Sequence, residues 1–383
     1  MNQNQESRVC QHCKGAFIIN AQDFAFYEKI QVPPPTFCPE CRLIRRFAWR
    51  NERSLHRRTC GLCKRNMLSV FSKNACVNAY CPSCWWSDNW DASDYAKEID
   101  FSKPFLSQVR ELLQEVPLMG LFGFESTLIN SPYCNMVDNL KNCYFLHYSN
   151  FDEDVYYGSG VFGTKDSCDI TMVRASELCY ESVNCVKCYQ ILYSQDCENS
   201  SDIYLSKNLR GCSNCFGCVN LQNKSYHIFN EPQTKEEYER KVKEFKLSSF
   251  QKQKEIAEKA KEFWACFPNK YAHGSHNISV SGDYIMNSKN ATSCFNVINA
   301  EDAKHCSYVA NGPLRDTYDF THYGDNIELV YEGLQIGDGV SEAKFSWCVF
   351  SNAKDISYSI IIKGSSHLFG CVGLKKKQYC ILD

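Results

Sequence analysis

The chain has 383 residues, 44% of them hydrophobic and 22% charged, with a formal net charge of −2. That length and apolar content suffice for two or three domains with a large core and exclude disordered and fibrous classes. The charge is unevenly placed: residues 1–75 carry 13 Lys plus Arg against 5 Asp plus Glu and the remainder 29 against 39, so a head of +8 precedes a body of −10, which suggests a head that faces a polyanion.

The opening MNQNQESRVC lacks the apolar core of an export signal, and the most apolar run, 116–124, is far too short to cross a bilayer. The expectation is a cytoplasmic protein whose 25 cysteines serve as metal ligands and small core residues rather than as disulfides.

Eight of those cysteines come in four C-x-x-C pairs: Cys10 with Cys13, Cys38 with Cys41, Cys60 with Cys63, and Cys81 with Cys84. The last two pairs are separated by 17 residues, inside the window of a tetrahedral zinc site. The first two are separated by 24, enough for a β-hairpin with Phe17, Ile18 and Ile19 before its turn and Phe24, Phe26 and Tyr27 after it. Segments this short cannot bury a core unaided, so two Zn²⁺ ions per chain would supply the folding energy. Spacing leaves open a crossed pairing of the knuckles, or Cys76 in place of Cys81.

The first segment, with its knuckle, Phe17, Phe26-Tyr27, Pro33 to Pro35 and the terminal Cys38-Pro39-Glu40-Cys41-Arg42, resembles the zinc-ribbon family of C-x-x-C…CPECR type over residues 8–46. The resemblance implies a metal module with ligands Cys10, Cys13, Cys38 and Cys41, and no reaction. The whole layout is similar to uncharacterised bacterial proteins in which paired zinc ribbons precede a repetitive β region.

Between the modules runs RLIRRFAWRNERSLHRR, residues 42–58. Drawn as one helix, it gathers Arg42, Arg45, Arg46, Arg50, Arg53 and Arg57 on one face with Trp49 among them, and places Leu43, Ile44, Phe47, Ala48 and Leu55 opposite, toward the zinc module. A face of arginines with a tryptophan suits phosphate and base stacking, so these seven residues are the candidate nucleic-acid contacts, RNA ahead of DNA. Trp85, Trp86 and Trp90 read as junction packing. Ser102 is the expected cap, with Pro104 in the first turn, of a connecting helix with the stripe Phe105, Val109, Leu112, Leu113 and Val116.

The body is repetitive. SNCFGCVNLQNKSYHIFN at 213–230 returns as SHLFGCVGLKKKQYCILD at 366–383, identical at nine of eighteen positions without a gap. Tyr144, Tyr156, Cys168, Tyr180, Ile191, Ile203, Cys215 and Tyr226 recur 11 or 12 apart, as do Cys294, Cys306, Tyr318 and Leu329. Two such half-turns make a rung of about 23 residues. The expected fold is mainly β: zinc-ribbon or treble-clef modules followed by a β-solenoid (right-handed parallel β-helix) with an interior cysteine ladder, interrupted by a helical insertion that opens on the capping box Thr234 and Glu237. The regularity lapses after Leu329, where a longer loop near Gly333 to Gly339 is expected. The divisions are 1–59 and 60–100 for the zinc modules, 101–129 for the connector, 130–230 and 268–383 for the two β halves and 231–267 for the insertion. Where residue 383 falls in the repeat leaves room for the chain to continue.

Cys185, Cys188, Cys212 and Cys215 are candidates for a third metal, although a strand would point residues three apart to opposite faces. Three functions are weighed: a cytoplasmic zinc protein that binds nucleic acid or scaffolds a protein partner on the solenoid; a β-helix enzyme acting on carbohydrate through Asp152, Glu153 and Asp154 or through Asp316, Asp319 and His322; and a purely structural assembly protein. No Walker loop, dinucleotide fingerprint or nucleophile elbow occurs.

Overall fold

The computed structural model describes residues 5–309, 313–324 and 327–383. The protein is mainly β, and its two halves are ladders of parallel strands. In the first ladder every Cα partner lies twelve residues further on: Tyr144 pairs with Tyr156, Tyr156 with Cys168, Cys168 with Tyr180, and so through Leu192, Tyr204, Phe216 and Ile228. The repeat is therefore twelve residues, not twenty-three. The column picked out in the sequence slips at Ile191, which is buried one position inward of the true column at Leu192.

A strand that returns on itself so quickly must bend often, and it bends at every third residue. Asp154, Tyr157, Asp166, Asp169, Met172, Ala175, Leu178 and Glu181 all have φ between 46 and 56°, with glycines at 160 and 163 filling the two intervening places. Left-handed backbone costs a non-glycine residue about 1–2 kcal/mol, least for Asn and Asp, which explains the many Asn and Asp in the repeats. Some of their side chains also bond from one repeat to the next, as Asn130 does to Asn142 (3.1 Å) and Asn290 to Asp302 (2.8 Å).

The bend also resets the inside. Every third residue points inward, so Val155, Val161, Ile170, Val173, Cys179, Cys185 and Cys188 are all buried, and Cys212, Cys215 and Cys218 likewise. The expectation that residues three apart alternate between inside and outside rested on a period of two, which this backbone does not have. Four inward positions per twelve leave a narrow interior, filled by Ser, Cys and Val with Ile and Leu at some places. A buried hydroxyl here is satisfied by the next repeat: Ser176 Oγ accepts the amide of Cys188 (3.1 Å) and donates to the carbonyl of Arg174 (2.8 Å), and Ser200 accepts from Cys212 in the same way.

The second ladder opens at eleven, Gly274 to Ile285, takes the same spacing as the first at Ala291 to Ala303, then widens to fourteen at Ala303 to Thr317 and thirteen at Leu314 to Ile327 and Ala343 to Ile356, before returning to twelve at Ile356 to Leu368. Parallel bridges from Tyr331 to Lys344 and from Ile336 to Val349 carry it through the region of Gly333 to Gly339. The long loop expected there is absent; repeats one residue longer account for the lost periodicity.

The two sequence copies place strands Ser213–Phe216 and Ser225–Ile228 at the same offset as Ser366–Phe369 and Gln378–Ile381. The amides of Val219 and Val372, both buried, donate to the side chains of Asn230 (2.9 Å) and Asp383 (2.8 Å). The copies differ where their neighbours differ. Phe216 is fully buried beneath Phe245, whereas Phe369 is 39% exposed at the edge of Phe105, and Leu374 is buried where Leu221 is only partly so.

Among the described residues six α-helices lie outside the ladders: α1 (Ala21–Lys29), α2 (Pro39–Phe47), α3 (Pro82–Trp86), α4 (Phe105–Glu115), α5 (Lys235–Glu244) and α6 (Phe250–Ala265). Thr234 and Glu237 form the capping box of α5 as expected, and α5 and α6 close over Leu205, Phe216 and Ile228 at one end of the first ladder. Helix α4 buries Val109, Leu112 and Val116 in the core of the second ladder. Its cap is Pro104, not Ser102, whose hydroxyl is taken by Asp100 (2.6 Å). No helix among the described residues is long and apolar enough to cross a membrane, and the 25 cysteines are free thiols.

Candidate metal centres and the docked arginine helix

Each four-cysteine module is a hairpin with a knuckle at its tip. Strands Glu6–Val9 and Ala16–Ile19 pair antiparallel around Cys10 and Cys13, and His56–Thr59 pairs with Asn66–Ser69 around Cys60 and Cys63, so the second module starts at His56 rather than at residue 60. In both, a lysine at positive φ (Lys14, 62°; Lys64, 63°) tightens the turn and the amide of the first cysteine bonds across it, to Gly15 or Arg65. The second ligand pair sits at a helix start: Cys38 caps α2 with Pro39 following, and Cys81 caps α3 with Pro82 following. The expected strand at Phe24 to Tyr27 is instead α1, opened by a capping box between Asn20 and Asp23.

Within each module the four sulfurs lie within 4.8 Å of one another, so Cys10, Cys13, Cys38 and Cys41 form one set and Cys60, Cys63, Cys81 and Cys84 the other. The crossed pairing is ruled out and Cys76 is outside both sets. Cys13 and Cys38 are 3.7 Å apart, and Cys63 and Cys81 3.9 Å. Four ligands about 2.3 Å from a tetrahedral ion are separated by about 3.8 Å, so the sets fit such an ion.

Amides already serve the sulfurs: that of Cys38 reaches Cys10 and that of Cys81 reaches Cys60, both at 3.2 Å. Burial pushes the Cys10 thiol up, but amides of Cys38, Cys13 and His12 more than offset this and bring it down to about 6; Arg65 does the same for Cys63, also to about 6. Among the described residues no third group of this kind occurs. Cys185, Cys188, Cys212 and Cys215 are buried packing residues spread over separate repeats.

The arginine segment departs most from its sequence reading. Helix α2 stops at Phe47, and Arg57 and Arg58 lie on a strand of the second module. The arginine face looks outward only in part. Arg42 and Arg46 are buried and converge on one carboxylate of the second ladder, Asp319: Arg42 Nε donates to Oδ2 at 2.7 Å and Arg46 Nη1 is 3.4 Å from Oδ1. Arg45 donates through Nε (3.1 Å) and Nη2 to Glu332, and Arg50 pairs with Glu52 (2.7 Å). Trp49, 43% exposed, meets Trp347 at 5.1 Å. Ile44 and Phe47, expected to face the module, are exposed instead. Of the six arginines among the candidate contacts, only Arg53 and Arg57 are exposed with no ion pair among the described residues.

Burial alone would raise the Asp319 carboxyl, but the two guanidinium groups hold it below its usual range and in turn keep Arg42 charged. Burial pushes His305 and His147 down to about 4, so both are neutral at pH 7. Helix α1 completes the contact, with Phe26 stacked on Tyr318 at 3.9 Å and Asp23 bonded to Lys304. The second module docks through its tryptophans, with Lys375 over Trp85 and Trp90, Lys363 over Trp86, and Lys377 bonded to Asp91 at 2.8 Å. Junction packing by Trp85, Trp86 and Trp90 is as the sequence suggested. Much of the opposite charge of head and body is thus matched within the chain. The acceptors Asp319 and Glu332 went unrecognised in the sequence, where nothing local distinguishes them from surface acids.

The acidic groups weighed for catalysis form no open carboxylate pair. Asp152 is buried and accepts the Thr164 amide (2.9 Å), Glu153 bridges Lys141 and Lys165, Asp316 pairs with Lys29, and His322 is buried 3.6 Å from Glu52.

No protein-family model matches the chain, and no curated protein does. Among solved structures, a proposed acetyltransferase from Desulfovibrio desulfuricans G20 is similar at 12% identity over 59% of this chain and 63% of that one, with a TM-score of 0.13. A likeness this loose carries no argument.

Proposed function

We propose that the protein is a zinc-bound scaffold: two zinc ions hold the modules, the ladders form a β-solenoid of twelve residues per turn, and a protein partner docks on the first of them. The observation that carries this reading is a column that is half covered by the chain itself. Tyr144, Tyr156, Cys168, Tyr180, Leu192, Tyr204 and Phe216 follow one another in register. At one end α5 and α6 sit on it, Phe245 stacking on Phe216 at 4.4 Å and Gln253 bonding the Tyr204 hydroxyl. At the other end Tyr156 and its neighbour Tyr157 are 41% and 50% exposed.

An amphipathic helix is what the chain already lays on this column, so a partner's helix is the occupant proposed for the open part. Asp154, Asp166, Asp169 and Glu181 flank it and favour a basic one. Nucleic acid remains the partner suggested by the arginine run, but with four of the six arginines committed to carboxylates it would have to rest on Arg53, Arg57 and Trp49.

A photo-crosslinking residue at Tyr156 tests the reading against one at Tyr271, a fully exposed site far from the column in sequence. In cells of the source organism, position 156 should capture one discrete protein and position 271 should not. Equal yields at the two positions would remove the column from consideration.

A further inference from the structure

A cavity of about 770 Å³ lies where the first zinc module, α4 and the second ladder meet. Nothing in the scaffold reading uses it. Its walls are mostly apolar, with Leu106 and Leu113 of α4 on one side and Leu334, Trp347 and Ile360 of the ladder on the other, while Trp49 and Arg46 close the third and the Arg45–Glu332 pair also lines it. A volume of this size is ordinary for a small-molecule site, and such sites hold a few polar groups in apolar walls.

The polar groups here are donors in excess. Arg42 and Arg46 share the single carboxylate of Asp319, and Glu332 is taken by Arg45, so four charged side chains beside Asp319 leave one positive charge without a counter-charge. Neither terminal nitrogen of Arg46 has a hydrogen-bond acceptor beyond the 3.4 Å ion contact, and the indole N–H of Trp347 has none at all. Arg46 and Trp347 are 3% and 7% exposed, and both line the cavity. Buried donors left unpaired cost about 1–3 kcal/mol each, and such groups in a native protein call for an explanation.

We infer that this cavity binds a monovalent organic anion with a flat apolar body, a carboxylate or sulfonate carried on an aromatic ring system. The anionic group would take Nη2 of Arg46, the terminal nitrogen outside the Asp319 contact, and the Trp347 N–H, and the rings would lie against Trp49, Trp347 and the leucines. Arg110, exposed at the rim, adds a second positive charge to the approach.

Two probes that share a ring system separate charge recognition from greasy binding: 8-anilinonaphthalene-1-sulfonate and its uncharged counterpart N-phenyl-1-naphthylamine, titrated into the zinc-loaded full chain. The expected result is one sulfonate bound per chain at least tenfold more tightly than the neutral probe, with quenching of tryptophan fluorescence. Arg46→Met should reduce that preference to about twofold or less. This variant is expected to stay folded, because Arg42 and Asp319 remain as a balanced pair, and a thermal melt checks it. Trp347→Phe keeps an aromatic ring, though a smaller one, removes the N–H and should weaken the sulfonate several-fold more than it weakens the neutral probe. Equal affinity for the two probes in the wild type overturns the inference, and so does a preference that survives in a folded Arg46→Met protein.

Discussion

Arg42 and Asp319 stand 277 positions apart in the chain and 2.7 Å apart in space, both out of contact with water. Arg42 follows directly on the ligand Cys41, so the metal module and the second ladder are joined through one short helix. Removing one partner of a buried ion pair leaves a charge with no compensation, at a cost of about 3–5 kcal/mol. Asp319→Asn is therefore expected to lower the denaturant midpoint by that equivalent, whereas the triple change Arg42→Met, Arg46→Met and Asp319→Leu, which removes both guanidinium groups with the carboxylate they share, should recover most of the loss. A single variant as stable as the wild type would show that the pair holds nothing.

A metal held by the first cysteine set would be coupled to docking through the same helix. Cys38 and Cys41 fix its first turn, so withdrawing the ion should free the segment after it. Metal analysis is expected to find two zinc ions in the wild type and one each in Cys41→Ser and Cys84→Ser. Limited proteolysis of Cys41→Ser should cut at residues 48–55 while the β ladders survive as a resistant fragment. Full metal content in either variant would refute the ligand assignment.

Asp152 gives a pH signature. Burial pushes its carboxyl up to about 7, only partly opposed by backbone donors at Thr164 and Gly163. The folded protein thus holds a proton that the unfolded chain releases near pH 4, so this group makes stability fall as pH rises from about 4 to about 7 and level off above. Asp152→Asn cannot lose a proton. Its stability relative to wild type should rise across that window, by up to a few kcal/mol, and be flat outside it; a difference independent of pH would sink the assignment.

The left-handed positions offer a local test. Lys187 has φ 53° and precedes Asn199, its equivalent in the next repeat, by twelve residues. Lys187→Asn suits both the backbone and an amide pair with Asn199, and should stabilise by about 0.5–1 kcal/mol; Lys187→Val, branched at Cβ, should cost about 1–2 kcal/mol. Chemical unfolding of the two variants checks the sign of each.

The interior hydroxyls make a further prediction. Ser176→Val leaves the Cys188 amide without its acceptor and should cost about 1–3 kcal/mol, while Ser176→Cys should be nearly neutral, because elsewhere in the ladder the Leu146 amide already bonds a cysteine sulfur, that of Cys134, at 3.4 Å.

What the amino-acid sequence determined by itself was local chemistry. Two thiols three residues apart can close a knuckle whatever surrounds them, and a Thr followed by Glu three positions on can cap a helix wherever it lies. The C-x-x-C pairs and the start of α5 were legible for that reason, as was a spacing near twelve in the body. Which way a surface faces was not. A helical wheel shows that arginines share a side and not what that side meets, and Asp319 and Glu332, which decide it, lie 277 and 287 residues on from their partners. The step of three was hidden for a related reason. Its signature is left-handed backbone that Asn, Asp, Tyr and Leu adopt alike, held by ladder bonds between successive repeats, so only the stacked chain shows that Cys212, Cys215 and Cys218 all point inward.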